Sequence, residues 1–369
     1  MNIVFIGGQE VPGIGGTEAY MMNLAKELCM QGHSATIICS GRRPYETTID
    51  NVRIIHKVCP KSNVTALPLL FFKSIGYIVR NRRNIDVVNY QSIFMAFIPG
   101  WITTLSGCKV NYTIHSLAED SPKYGLFMKI LMRVVAFISI WCCGNKIITV
   151  SKSKAKEIKE RYGKKCTIIP CGIQDSNNFT ESDILDRFNI LKGQYYLTIG
   201  RIDPIKNLDI LIKAFIMHDN QTKQLVIAGN YENKYGKSLE ELAKNNANVI
   251  FTGIVMGDDK ETLLKNCYAN CLVSSSEGMP ISLLEAMIYA KPCIVTHIPA
   301  IREIMNSDWG YWCEAKDTES LCKQMMLVEK DYSVAEEKGL QMKQYVSANH
   351  LWNSIAKGYI DYLKNIDTK

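Results

Sequence analysis

Two doubly wound parallel α/β domains are the architecture this sequence predicts. Three observations lead there. Apolar runs of strand length alternate with longer stretches of helical apolar spacing through both halves of the chain. The alternation lapses over residues 171–192, which are polar and weakly patterned, and then restarts. The length, 369 residues, suffices for two domains of ordinary size. The expected division is 1–175 and 190–345, the two Rossmann-like domains facing each other across a cleft. The terminal helix, 350–369, is expected to pack back on the first domain.

In chain order, Asn2 to Ile6 reads as a short buried strand ending in Gly7-Gly8. The loop Gly13-Ile14-Gly15-Gly16 leads into Thr17 to Met30, where Tyr20, Leu24 and Leu28 recur at helical spacing and Thr17 can cap the start. Gly32 ends that helix. Strands follow at 35–39, 52–55, 87–90, 110–114, 146–150 and 166–169. Pro122 to Cys143 reads as a mostly buried helix, and Ser151 as the cap of a Lys-rich one. In the second half, strands at 195–199, 225–228, 249–251, 269–273 and 293–295 alternate with helices at 207–215, 238–244, 259–266, after Pro280, and at 318–328.

Composition excludes several classes. Apolar content of 47% and charged content of 21% describe a packed chain. The 13 cysteines are odd in number, form no C-x-x-C pair and sit mostly in apolar runs, which reads as reduced cytosolic thiols without disulfides or zinc. No signal peptide is read at the start, and the apolar stretch Val134 to Cys143 is too short to cross a bilayer. Residues 1–180 carry 22 Lys and Arg against 11 Asp and Glu, while residues 181–369 carry 21 against 25. The first half therefore attracts anions. Its basic segments, Arg80-Asn81-Arg82-Arg83 after an apolar run and Lys152 to Lys165, suit anionic lipid headgroups. No aromatic stacking platform accompanies them, so nucleic acid is not expected.

The most informative stretch is Glu277-Gly278-Met279-Pro280-Ile281-Ser282-Leu283-Leu284-Glu285. It follows a buried strand and opens a helix, with Pro280 suited to the first turn. Such a helix start gathers unpaired amides and partial positive charge, which favour an anion. Glu277 falls in the loop and Glu285 in the second turn. At about 1.5 Å per helical residue the two span roughly 10 Å. Carboxylates suit sugar hydroxyls better than phosphate, so the arrangement suits a ligand with a charged middle and polyol ends.

This spacing resembles the E-x7-E motif of the retaining glycosyltransferases of family 4, which have the GT-B fold. Further matches follow in the family's order: Gly15-Gly16-Thr17-Glu18 with Gly32-His33; Tyr112-Thr113-Ile114-His115; Val150-Ser151; Ile169-Pro170-Cys171-Gly172; Gly200-Arg201 with Lys206-Asn207; and Glu303-Ile304. Trp352 and the amphipathic helix to Ile366 resemble the segment that crosses back onto the first domain. The loop near residue 15 and residues 86–172 look most like the subgroup with bacterial rhamnosyltransferases. Lys291 before Pro292, Cys171 before Gly172, and Ser274-Ser275-Ser276 before the first glutamate depart from the pattern.

The resemblance implies transfer of a hexose or deoxyhexose from a UDP-, GDP- or dTDP-sugar to a glycan or lipid-linked acceptor. The expected setting is bacterial surface polysaccharide synthesis, at the cytoplasmic face of the membrane. Arg201 and Lys206 would hold the diphosphate, Glu285 the ribose and Glu277 the transferred sugar. His115 would contact that sugar. Gly15, Gly16, Gly200 and the amides of Gly278, Met279, Pro280 and Ile281 would line the donor, though Pro280 has no N–H to offer. No Asp-x-Asp is present, and no metal or cofactor is expected. Two other readings compete: a GT-B sugar-nucleotide epimerase, and an NAD(P)-dependent oxidoreductase suggested by Gly13-x-Gly15 and Arg42-Arg43. The latter lacks its third glycine, whose place Glu18 takes.

Overall fold

The computed structural model describes every residue except 12, 14, 61–62, 116, 118–124, 145, 176–178, 221 and 366–369. Position 14 of the glycine loop, the expected helix start at 122 and the expected helix end at 366 lie outside the described residues. The chain forms two units, Met1–Gly172 with Trp352–Lys369, and Ile173–Leu351. The expected linker at 171–192 is therefore not a separate piece. Ile173 already forms a parallel bridge with Leu351, and both belong to the second unit.

The first unit is built on eight strands: β1 (Asn2–Ile6), β2 (Ser34–Gly41), β3 (Tyr45–Ile49), β4 (Val52–Val58), β5 (Val87–Tyr90), β6 (Lys109–Ile114), β7 (Ile147–Thr149) and β8 (Thr167–Ile168). Their spatial order is β3-β4-β2-β1-β5-β6-β7-β8, parallel except for β3 against β4. The order reverses direction between β1 and β5, the place where such sheets bind ligands beyond the strands' carboxyl ends. Strand β3 has no counterpart in the sequence reading. It pairs with β4 through the two-residue turn Asp50-Asn51, both at positive φ, which is the geometry a tight hairpin requires.

Helices α1 (Gly16–Met30), α2 (Asn63–Asn81), α3 (Phe97–Leu105), α4 (Leu126–Cys143) and α5 (Lys152–Tyr162) connect these strands. Thr17 does not cap α1. Gly15 stands at the cap without a side-chain bond, and Thr17 lies in the first turn. Ser151 does cap α5, its Oγ accepting from the Lys154 amide at 3.2 Å. The largest departure is α4, which is not mostly buried. Only Met132, Ala136, Ser139, Ile140 and Cys143 point inward. They form one narrow face, and the apolar remainder, including Phe127 (80% exposed) and Trp141 (51%), faces outward.

The second unit carries six parallel strands in the order β11-β10-β9-β12-β13-β14. In chain order they and their helices are α6 (Ile184–Arg187), β9 (Tyr195–Ile199), α7 (Leu208–His218), β10 (Gln224–Ala228), α8 (Lys234–Ala243), β11 (Val249–Gly253), α9 (Gly257–Asn266), β12 (Ala269–Leu272), α10 (Ile281–Ile288), β13 (Cys293–Thr296), α11 (Pro299–Arg302), β14 (Tyr311–Cys313), α12 (Thr318–Lys330) and α13 (Tyr332–Asn349). Here the reversal falls between β9 and β12. Helix α13 is also absent from the sequence reading. Asp331 caps it, and Gly339 lets it approach the Ala290 backbone just past α10, where a Cβ would stand 2.0 Å from the Ala290 carbonyl oxygen.

Helix α14 (Trp352–Lys364) returns to the first unit. The Trp352 indole meets Tyr20 edge-on at 5.5 Å, and the Tyr359 ring stacks on Phe5 at 6.0 Å. The Tyr359 hydroxyl accepts from Asn89 Nδ2 at 3.0 Å. Gly172 faces the indole so closely that a Cβ there would lie 2.6 Å from it. Trp352 is fully buried, so Trp352→Ala should lower the stability of the first unit by about 3–5 kcal/mol. Urea unfolding checks this; an unchanged midpoint would show that α14 contributes nothing to that core.

Candidate functional site

Each sheet presents a cluster of polar groups at its point of reversal. In the second unit the chain leaves β9 through Gly200, whose φ of +147° disfavours any side chain. It then runs through Arg201 and a short turn at Pro204 to Lys206 and Asn207. Asp203 caps that turn by accepting from the Ile205 amide. Asn207 adopts the left-handed conformation, which asparagine tolerates better than most residues. Its Nδ2 donates to the Val273 carbonyl and to Ser275 Oγ, each at 2.8 Å. The Ser275 amide donates to the Ile205 carbonyl at 2.8 Å. The loops leaving β9 and β12 are therefore laced together.

That lacing sets Lys206 against Glu277. Lys206 Nζ lies 2.6 Å from Glu277 Oε1, and Ser274 Oγ donates to the same oxygen at 2.6 Å. The two side chains are only 18% and 12% exposed. A charge pair this shielded is much less screened than a surface pair. Gly278 and Met279 then lead to Pro280, which stands at the cap of α10 rather than inside its first turn. The Leu283 and Leu284 amides turn back to the Pro280 carbonyl at 3.1 and 3.4 Å. The amides ahead of them, from Ile281, lack a partner within the helix, as the start of any helix does.

Glu285 sits one turn into α10 and faces a different cation. Lys260 of α9 donates to Glu285 Oε1 at 2.8 Å and lies 3.3 Å from Glu261 Oε1. Burial works to lower the Lys260 ammonium, but the two carboxylates outweigh it and hold it well above the ordinary lysine range. Tyr289 donates to the second oxygen of Glu261 at 2.7 Å. Arg201 is 69% exposed, with its Nε 3.9 Å from Asp203. The structure thus joins Lys206 to Glu277, and leaves Arg201 and Glu285 with partners of their own.

His115, Gly15 and Gly16 belong to the first unit. His115 follows β6, and its Nε2 lies 2.7 Å from Gln91 Oε1, just past β5. Gln91 Nε2 donates to Asn89 Oδ1 at 2.6 Å, which makes the Gln91 oxygen the acceptor and His115 Nε2 the protonated nitrogen. Burial pushes the imidazole down to about 4. It packs edge-on against Tyr20 at 5.0 Å. Ahead of α1, Glu18 folds back on its own loop. Its Oε1 accepts from the Gln9 amide at 2.7 Å, and Oε2 would stand 2.0 Å from a Cβ on Gly15. No atom within 4 Å obstructs a Cβ on Gly16. A carboxylate therefore fills the place where a dinucleotide fold keeps its third glycine, which argues against the oxidoreductase reading.

The sequence reading missed Lys260, Gln91, Ser274 and the stapling role of Asn207. Gln91 had a usable signal, since it follows β5 as His115 follows β6. Lys260 lies in the charged run Asp258-Asp259-Lys260-Glu261, where nothing distinguishes it from a solvated residue. Among the described residues, no group of three or more His, Cys, Asp or Glu side chains is placed to hold a metal.

Comparison with known proteins identifies the family. The model described as Glycosyltransferase Family 4 matches residues 14–177, and that described as Glycosyl transferases group 1 matches residues 182–348. The chain belongs to this family of glycosyltransferases, and its two parallel-sheet domains are those of the GT-B fold. An uncharacterized glycosyltransferase of Methanocaldococcus jannaschii is 26% identical over 99% of this chain and 98% of its own. The Escherichia coli UDP-Gal:alpha-D-GlcNAc-diphosphoundecaprenol alpha-1,3-galactosyltransferase is 22% identical over 88% and 87%. Among solved structures, sucrose-phosphate synthase from Thermosynechococcus elongatus superposes with a TM-score of 0.80 at 16% identity, covering 100% of this chain and 99% of that one. Anabaena HepE in complex with UDP and glucose does so at 0.79 and 16%, covering 99% and 100%.

A neutral, partly buried imidazole has a consequence for pH. The unfolded chain takes up a proton near the ordinary value of 6.5, whereas the folded chain does so near 4. The unfolded state binds more protons between these values, so stability falls as pH drops through that window and is unaffected by this group above it. The stability difference between wild type and His115→Gln should be constant above pH 6.5 and shrink below it, by up to about 1.4 kcal/mol per pH unit. A difference independent of pH in urea titrations would show that the imidazole is not held neutral.

Proposed function

We propose that this glycosyltransferase moves a hexosyl or deoxyhexosyl group, with retention, from a nucleoside diphosphate-sugar to a glycan or lipid-linked acceptor. The observation that carries the reading is the shielded Lys206–Glu277 pair beside the α10 start, at the reversal of the second sheet. It offers a cation for a diphosphate, amides for the same charge and a carboxylate for sugar hydroxyls. Arg201 would add a planar fork to the diphosphate, and Glu285, steadied by Lys260, would accept from ribose hydroxyls. In the first unit His115 would contact the transferred sugar, with Gly15 and Gly16 at the near edge of α1.

As the bond from C1 to the phosphate oxygen breaks, negative charge grows on the diphosphate. Cations already fixed there act on the transition state more than on the ground state. The acceptor hydroxyl would attack C1 from the leaving-group side, and the departing phosphate oxygen would take its proton. Lys206 and Arg201 can do the work a divalent ion does elsewhere, so no obligatory metal is proposed.

Two relatives support the acceptor class. One is the galactosyltransferase above; the other is the Campylobacter jejuni N,N'-diacetylbacillosaminyl-diphospho-undecaprenol alpha-1,3-N-acetylgalactosaminyltransferase, 24% identical over 83% of this chain and 85% of its own. Both names state a polyprenyl diphosphate acceptor, which suits polysaccharide synthesis at the cytoplasmic face of a bacterial membrane. UDP in HepE makes a UDP-sugar the first donor to test, with GDP-sugars and dTDP-rhamnose beside it.

Binding and slow hydrolysis across that donor panel test the reading. One donor should be turned over, with EDTA leaving the rate unchanged. Lys206→Ala and Glu277→Gln should each lower turnover at least about a hundredfold. Full activity in both variants would remove the site from the reaction, and loss of activity in EDTA would restore a metal to it.

A further inference from the structure

We infer that α4, with the outer face of α3, is the surface by which the protein lies on an anionic lipid bilayer. Helix α4 is long and apolar enough to cross a membrane by composition alone. Its buried face excludes that arrangement. Met132, Ala136, Ser139, Ile140 and Cys143 are buried along one side of the helix, and Ala136, Ile140 and Cys143 join the core beneath the sheet of its own unit, so it can only lie along a surface.

The opposite side exposes Leu126, Phe127, Ile130, Val134, Phe137 and Trp141. Helix α3 lies beside α4 and adds Trp101 and Leu105, the latter 88% exposed. Apolar residues this large and contiguous mark an interaction surface. Two exposed indoles among aliphatic side chains suit the boundary between headgroups and acyl chains.

Charge identifies the occupant. Helices α2, α3 and α4 are adjacent and contain not one Asp or Glu. Their charged residues are Lys73, Arg80, Lys129 and Arg133, and the turn after α2 adds Arg82 and Arg83. Lys164 sits 4.2 Å from the Trp141 ring, placing a further cation at the end of the apolar strip. A second copy of this chain would bring cation against cation. An anionic headgroup layer over an apolar interior meets both features.

The inference stands on the surface of the first unit; it rests on the proposed acceptor only for the reason to dock. Flotation with phosphatidylcholine vesicles, with and without phosphatidylglycerol, tests it. Wild type should float with the phosphatidylglycerol vesicles and not with phosphatidylcholine alone, and brominated lipid should quench its tryptophan emission. Phe127→Glu with Phe137→Glu should reduce partition at least about tenfold, with the thermal unfolding midpoint and vesicle-free donor hydrolysis unchanged. Wild type that ignores anionic vesicles, a double variant that floats like wild type, or wild-type dimers dissolved by the same substitutions would overturn it. Donor hydrolysis without vesicles reports on the proposed reaction separately, so either idea can fail alone.

Discussion

The short ion pair between Lys206 and Glu277 is the constraint that the loops at the second unit's reversal are built to hold. A lysine and a glutamate this shielded must be held by their surroundings, because each alone would be a costly buried charge. The surroundings here are the Ser274 hydroxyl, which donates to the carboxylate, and the Asn207 side chain, which staples the loop after β9 to the loop after β12, with the Ser275 amide returning a bond. A ligand that takes the ammonium for its phosphate must leave the carboxylate another donor. A polyol would do so, and in the proposed reaction the pair would favour a molecule that carries both groups.

The same logic of placement governs the first unit without a charge pair. There His115, Gln91 and Asn89, all neutral, form a chain of hydrogen bonds that ends on Tyr359 of α14, beside a loop that carries the Glu18 carboxylate. The imidazole is fixed in one tautomer by a residue two bonds from the C-terminal helix. An ion pair in one sheet and a hydrogen-bonded chain in the other thus occupy corresponding positions in two sheets of similar design, and both owe their position to strand order rather than to local sequence.

Much of this was legible beforehand because parallel strands buried on both faces leave continuous apolar runs. The runs at 2–6, 87–90 and 195–199 match β1, β5 and β9 to the residue. Strand β3 was not legible, since Tyr45-Glu-Thr-Thr-Ile lies on an exposed edge and buries little; its only signal was the Asp50-Asn51 turn. Helix α4 was misjudged because an apolar segment shows how much of it prefers to leave water, not what covers it. In the candidate site, Glu277 and Lys206 were found separately through motifs. Their contact, and the Lys260–Glu285 contact, join residues distant in sequence and are set by the packing of α9, α10 and the two loops.

The first unit is interrupted in sequence: Trp352 and Tyr359 complete a core whose other members end at Gly172. During synthesis, the ribosome must therefore emit the whole of the second unit before that core can close. Until then Phe5 and Tyr20 have no covering helix, and the nascent first unit waits with an open seam while its neighbour, contiguous in the chain, is free to fold. Order of birth and order of completion are reversed in this protein.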